Sequence, residues 1–245
     1  MDLLTEQDET LEILCDDALR IVQKKSGYRF SMDAFLLSSF VALKKHETLL
    51  DVGTGCGIIP IYLTKKGFPN SMVGIEIQQE LFLTALKNLE LNNCENVRFI
   101  QGDIKLLVDT LKQNPFHVVV SNPPYTKVHT GRKSPRKSRL VARYESRIDL
   151  ETLLSISSAL LETKGRVYLI YPARRSVELI YTARKYRLEP KRLRFIHPRK
   201  EESANLFLAE LVKEGGMEVT IEKPLYIYDN DRYTEEVESY YLLKG

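Results

Sequence analysis

Between residues 49 and 212, short apolar runs alternate with stretches of helical periodicity, and this rhythm constrains the fold more than any other feature. Residues 49–52, 72–76, 97–100, 116–120 and 167–171 read as strands. Residues 58–66, 79–91, 104–112, 149–162 and 174–186 read as the helices between and after them, and 192–196 and 205–212 as closing strands. Such alternation implies an α/β chain, with a mostly parallel sheet and helices on both faces. Ligands of these sheets bind beyond the carboxyl ends of the strands, near the point where strand order reverses. Upstream, Leu11, Leu14, Ala18, Leu19 and Val22 recur at helical spacing and predict an opening amphipathic helix. Residues 27–30 read as a turn or short extended piece, and Asp33 as the cap of a second helix. One domain is expected over 1–245: a helical lead-in (1–45), a core (46–212) and a C-terminal extension (213–245).

Composition excludes several classes. Hydrophobic residues make up 43% and charged residues 28%, which is globular rather than disordered or fibrous. No apolar run approaches the roughly 18 residues a membrane span needs, and the acidic start lacks the basic and apolar regions of a signal peptide. Cys15, Cys56 and Cys94 lie far apart, without metal-ligand spacing, so reduced thiols, no metal and a cytoplasmic location are expected. The net charge of +3 hides an asymmetry: residues 127–200 hold 20 of the 36 Lys and Arg but 6 of the 33 Asp and Glu. That polarity suggests a basic surface facing a polyanion.

Three glycines alternate where the first strand ends, in Asp51-Val52-Gly53-Thr54-Gly55-Cys56-Gly57. Glycine permits a tight turn and close ligand approach. The spacing departs from the dinucleotide fingerprint, and Asp51 disfavours a diphosphate while suiting a cofactor with a cationic or zwitterionic end. Glu76 ends the second strand, where a carboxylate can accept from a ribose diol. Asp103 follows the third strand and can accept from an adenine amine, although a helix N-cap would use the same residue. Asn122 follows the fourth.

Asp51-x-Gly53-x-Gly55-x-Gly57, Glu76, Asp103 and Asn122-Pro123-Pro124-Tyr125 together resemble the S-adenosylmethionine-dependent methyltransferases of the Rossmann-like class. The resemblance implies a seven-stranded sheet with an antiparallel closing strand. It implies that the loop of Gly53, Thr54, Gly55, Cys56 and Gly57 bends around the amino-acid end of S-adenosylmethionine, with Asp51 by its ammonium group. Glu76 and Ile77 would hold the ribose, and Asp103 and Ile104 the adenine. For Phe30 and Ser31 it implies only proximity to the cofactor.

Asn122-Pro123-Pro124-Tyr125 bears on the chemistry. Two prolines after an apolar strand cannot continue a central ladder, so they hold a rigid backbone there. The Asn122 side-chain oxygen and the Pro123 carbonyl can both accept from one planar NH2 group, favouring the geometry that points its lone pair at a methyl donor. Tyr125 can stack on an extruded base. This pattern resembles amino-group methyltransferases, acting on adenine N6, guanine N2 or a glutamine amide.

Residues 127–147 contain eight Lys or Arg and one acid. Lys127, Arg132, Lys133, Arg136, Lys137, Arg139 and Arg143 are the expected phosphate contacts of an RNA. Arg174, Arg175, Arg184, Lys185, Arg187, Lys191, Arg192 and Arg194 would extend that surface. The order of residues 27–37, the glycine loop, the Asn-Pro-Pro-Tyr motif, Ser134-Pro135-Arg136 and Ala142-Arg143-Tyr144-Glu145 resembles one bacterial family. Its members are tRNA adenine-N6 methyltransferases that modify the adenosine beside the anticodon of a valine tRNA. Tyr144 departs from the histidine often found there. Guanine-N2 methylation of ribosomal RNA, glutamine-N5 methylation of protein and an inactive RNA-binding module are the alternatives.

Overall fold

The computed structural model describes residues 7–25, 31–124 and 148–242. Strands β3 (Leu49–Val52), β4 (Met72–Glu76), β5 (Val97–Gln101), β6 (Phe116–Ser121), β7 (Leu161–Pro172), β8 (Leu188–His197) and β9 (Leu206–Lys213) lie in the order β5-β4-β3-β6-β7-β9-β8. All pairings from β5 to β7 are parallel, and β9 runs antiparallel to both neighbours. Alternate residues serve opposite faces, as strand geometry requires. Val118 and Val120 pack with helices α1 (Met32–Phe40), α2 (Ile58–Lys65) and α3 (Gln79–Asn92). Val119 packs on the other side, with α4 (Ile104–Leu111), α5 (Leu150–Leu160) and α6 (Ser176–Lys185).

The strand count corrects the expected sheet, while the expected antiparallel closing strand is β9. The sheet has nine strands rather than seven, because two-residue β10 (Thr220–Ile221) and β11 (Leu225–Tyr226) add in parallel beside β8. The antiparallel strand β9 lies inside the sheet, between β7 and β8, because β8 and β9 form a hairpin that docks on β7 through its second strand. Beyond β11, β12 (Tyr228–Asp229), β13 (Arg232–Tyr233) and α7 (Glu235–Tyr240) complete the described C-terminal segment. Short edge strands with charged neighbours are a common way to blunt an exposed sheet edge.

The N-terminal segment is a hairpin, not the helix expected from Leu11, Leu14, Ala18, Leu19 and Val22. β1 (Glu9–Leu14) pairs antiparallel with β2 (Leu19–Lys24). Cys15, Asp16 and Asp17 between them have φ of 57°, 51° and 67°, a left-handed run that no right-handed helix can contain. The far edge of β2 is satisfied by side chains of α3. Asn88 accepts from Val22 N at 2.7 Å and donates to Val22 O at 3.0 Å. Asn92 accepts from Arg20 N at 3.1 Å and donates to Arg20 O at 2.7 Å. Four residues apart on a helix, the two amides face the same way and meet every second residue of the strand. Asn88→Ala orphans buried backbone groups of Val22, and it is expected to cost about 2–3 kcal/mol in equilibrium urea unfolding.

The second helix begins at Ser31 rather than Asp33. Ser31 Oγ accepts from Asp33 N at 3.3 Å, and Asp33 occupies the first turn. Hydroxyl and carboxylate caps compete at such sites, and the residue with extended backbone wins.

Candidate active site

The chain leaves β3 for β4 and β5, then returns to place β6 on the other flank of β3. The strand order therefore reverses at the carboxyl ends of β3 and β6, the position at which open sheets bind ligands. A buried hydrogen bond fastens the two ends: Ser121 Oγ donates to Val52 O at 2.7 Å. Asn122 follows, half-buried, then buried Pro123 and exposed Pro124.

The loop after β3 is built on left-handed glycines, with φ of 75° at Gly53, 60° at Gly55 and 82° at Gly57. A Cβ on Gly57 would lie 2.6 Å from Phe99 Cζ, so the loop also needs close approach to β5. At Gly53 a Cβ would meet no atom within 4 Å, and that turn faces open space. Gly53 N and Thr54 N both donate to Ile75 O, at 2.9 and 3.0 Å, hanging the loop from β4.

Two carboxylates sit beneath it. Asp51 is fully buried. Its Oδ2 accepts from Thr54 Oγ1 at 2.7 Å, while Oδ1 has no hydrogen-bond partner among the described residues. Burial pushes this carboxyl up to about 7; the Thr54 hydroxyl opposes the rise and the charge of Glu76 adds to it. Glu76 Oε2 accepts from Gly55 N at 3.0 Å and Oε1 from Gln78 N at 2.9 Å. Burial raises Glu76 too, against those backbone donors. Each carboxylate oxygen retains a further acceptor position. The Thr54–Asp51 and Gly55–Glu76 bonds were not anticipated from sequence, although the Asp-x-x-Thr spacing is the available signal for the first.

Asp103 caps α4, accepting from Lys105 N at 2.9 Å. Gly102 N donates to Glu76 O at 2.9 Å, so the ends of β4 and β5 are joined and Asp103 follows directly. Ile104 is buried and Ile77 half-buried. The Cys56 thiol is buried and pushed up to about 12 by burial, which leaves it an inert packing group. The Cys56 carbonyl accepts from Asn88 Nδ2 at 3.0 Å, so one amide ties the N-terminal hairpin to the glycine loop. Ser31 makes its local cap contact. Phe30, Tyr125 and the cations Lys127, Arg132, Lys133, Arg136, Lys137, Arg139 and Arg143 lie outside the described residues.

The basic residues further along the chain are largely consumed internally. Arg175 pairs with Glu178 at 2.7 Å, Arg184 with Glu189 at 3.2 Å and Lys185 with Glu151 at 3.5 Å. Arg187, Arg192 and Arg194 pair with Glu214, Glu222 and Glu236 of the C-terminal extension, and Lys191 donates to Glu218 O. The sequence asymmetry thus overstates the field on this side, because Glu214, Glu222 and Glu236 fold back onto it from outside residues 127–200. Among the described residues, no three His, Cys, Asp or Glu side chains converge as a metal site, and no helix is long and apolar enough to cross a membrane.

Comparison with known proteins agrees with this architecture. A family model described as a methyltransferase domain matches residues 43–205. A tRNA1(Val) (adenine(37)-N6)-methyltransferase of Photobacterium profundum is 26% identical over 86% of this chain and 88% of its own. A protein of the same name from Pedobacter heparinus is 32% identical over 69% of this chain and 70% of its own. Among solved structures, a predicted O-methyltransferase from Agrobacterium tumefaciens superposes with a TM-score of 0.68 at 23% identity, covering 85% of this chain and 94% of that one. A sheet that reverses order beside an acid-lined glycine loop, carried on a chain with these relatives, makes this protein a member of the methyltransferase-domain family.

Proposed function

We propose that this protein transfers a methyl group from S-adenosylmethionine to N6 of an adenosine in tRNA, adenine 37 of tRNA1(Val) being the favoured target. One observation supports the reading: the 122–124 segment is latched to the end of β3, so it and the glycine loop lie side by side at the carboxyl ends of β3 and β6. The names of the relatives favour adenine over guanine or a glutamine amide.

The residues present fit the cofactor. The orphaned, buried Asp51 Oδ1 calls for a cationic donor, and the open space at Gly53 leaves room for an amino-acid moiety. Gly53, Thr54, Gly55, Cys56 and Gly57 would line that end, with Phe30 and Ser31 nearby. Glu76 and Ile77 would take the ribose, and Asp103 and Ile104 the adenine. When bound, S-adenosylmethionine supplies an electrophilic methyl group on a sulfonium. Asn122 Oδ1 and the Pro123 carbonyl accept from the two N–H bonds of the target amine and orient its lone pair. Pro124 contributes rigidity and leaves that carbonyl unshielded, having no N–H. Tyr125 stacks on the base. Acceptors aimed where positive charge develops, together with in-line placement, supply the rate. Lys127, Arg132, Lys133, Arg136, Lys137, Arg139 and Arg143 hold phosphates, and the cytoplasm is where such a substrate is met.

The test is methylation of unmodified tRNA transcripts by the purified chain, followed by nucleoside mass spectrometry. N6-methyladenosine at position 37 of the valine transcript is expected. Methylated guanine in ribosomal RNA, or a methylated glutamine in a release factor, with no product on tRNA, would overturn the assignment.

A further inference from the structure

One face of α6 is exposed without a structural reason. Val177 and Tyr181 are 78% and 66% exposed, although both are large and apolar in body. Arg184 and Lys185 are exposed beside them. At 3.6 residues per turn these four side chains fall on one stripe of about 100°, while Leu179, Thr182 and Ala183 face the core. Lys185 Nζ stands 5.0 Å from the Tyr181 ring centroid. Arg174, at the head of the same stripe, is exposed and has no ion pair among the described residues. The acid within α6, Glu178, is turned into two hydrogen bonds with Arg175. The stripe therefore carries an aromatic ring and cations, of which Arg184 and Lys185 are held by Glu189 and Glu151, which leaves Arg174 without an ion pair among the described residues.

Its position matters as much as its composition. Ser121 pairs with Leu169 in register, so the 122–124 segment leaves β6 close to where β7 finishes at Pro172. Neighbouring strands are about 4.8 Å apart. The stripe thus begins at the candidate active site and runs back along the outer surface. A second copy of the chain is a poor occupant, because a twofold contact would set like charges against each other.

Resting on the tRNA reading above, we propose that the Arg174–Val177–Tyr181–Lys185 face of α6 binds the RNA beyond the target nucleotide. Tyr181 stacks on an unpaired base, Val177 packs beside it, and Arg174 contacts a flanking phosphate. This surface adds affinity and not chemistry.

Fluorescence anisotropy with a labelled, unmodified tRNA transcript tests it, alongside steady-state methylation and light scattering. Tyr181→Ala should raise Kd and KM for tRNA about five- to a hundredfold, the range for loss of one base–aromatic stack, with kcat at saturating tRNA unchanged. Tyr181→Phe should restore most of the loss. Arg174→Ala should shallow the salt dependence by about 0.7–0.9 log units, the loss of one phosphate contact. If the parent protein methylates tRNA while Tyr181→Ala binds it equally well, the proposal is wrong and the functional reading stands. Dissociation of a dimer by Tyr181→Ala, with RNA affinity unchanged, would assign the face to a second copy and overturn the proposal. Absence of any methylation or binding of tRNA by the parent protein would remove both.

Discussion

Asn122→Ala is expected to lower the single-turnover rate of methyl transfer to tRNA by about 10²–10³-fold, the loss typical of one preorganised hydrogen-bond partner. Affinity for tRNA should change by less than about twofold, because the bond matters most as charge develops. Asn122 is half-buried and follows a backbone latched to β3 through Ser121, a bond that the truncation leaves in place. Asn122→Asp keeps an acceptor in place and should retain partial activity. Rapid-quench assays at saturating cofactor separate the two variants. Full activity in the Ala variant would remove amine alignment from the mechanism.

Asp51→Asn should move two quantities in opposite directions. Asp51 ionises near pH 4 in an unfolded chain, but burial lifts it to about 7 in the fold. Between those values the folded state holds a proton that the unfolded state releases. Stability conferred by the protonated form is complete below about pH 4 and is lost as pH rises to about 7, a loss of up to roughly 4 kcal/mol. Asparagine escapes it and can still accept from Thr54. The cofactor-free variant should therefore melt with the parent near pH 4 and above it at pH 8. Its affinity for S-adenosylmethionine should fall about tenfold to a hundredfold, as expected when a charged hydrogen-bond partner becomes neutral. Thermal melts across this pH range and calorimetric titration measure both. Equal melting at pH 8 and unchanged affinity would mean that Asp51 neither strains the apo fold nor meets the ammonium group.

What was legible in the sequence follows its local physics. The strands and helices of the core were readable because each is a short apolar run or periodic stretch bounded by turn chemistry; the segment expected over 58–66 is observed at Ile58–Lys65. The glycine loop and its acids were readable because left-handed backbone and strand-end position leave few alternatives. The hairpin was not, because its apolar spacing suits a helix as well as two strands. What decides it is the Cys15–Asp17 turn and two amides more than 60 residues away. β10 and β11 were invisible for a similar reason, since two residues carry no periodicity and their place depends on the β8 edge. The basic surface was misjudged where Glu214, Glu222 and Glu236 fold back onto the arginines, a pairing that linear charge counts cannot see.

The amides of Asn88 and Asn92 also set an order of events. On a ribosome the hairpin strands emerge before α3, and the groups that close the open edge of β2 are 66 to 72 residues further along. Contacts so distant in the chain form slowly, and a strand edge left bare in the interval is a template for unwanted pairing. The hairpin is therefore secured late, once α3 has been translated and has folded against the sheet. A nascent chain stalled before residue 88 should hold β1 and β2 open to protease, and one released after residue 92 has emerged should not.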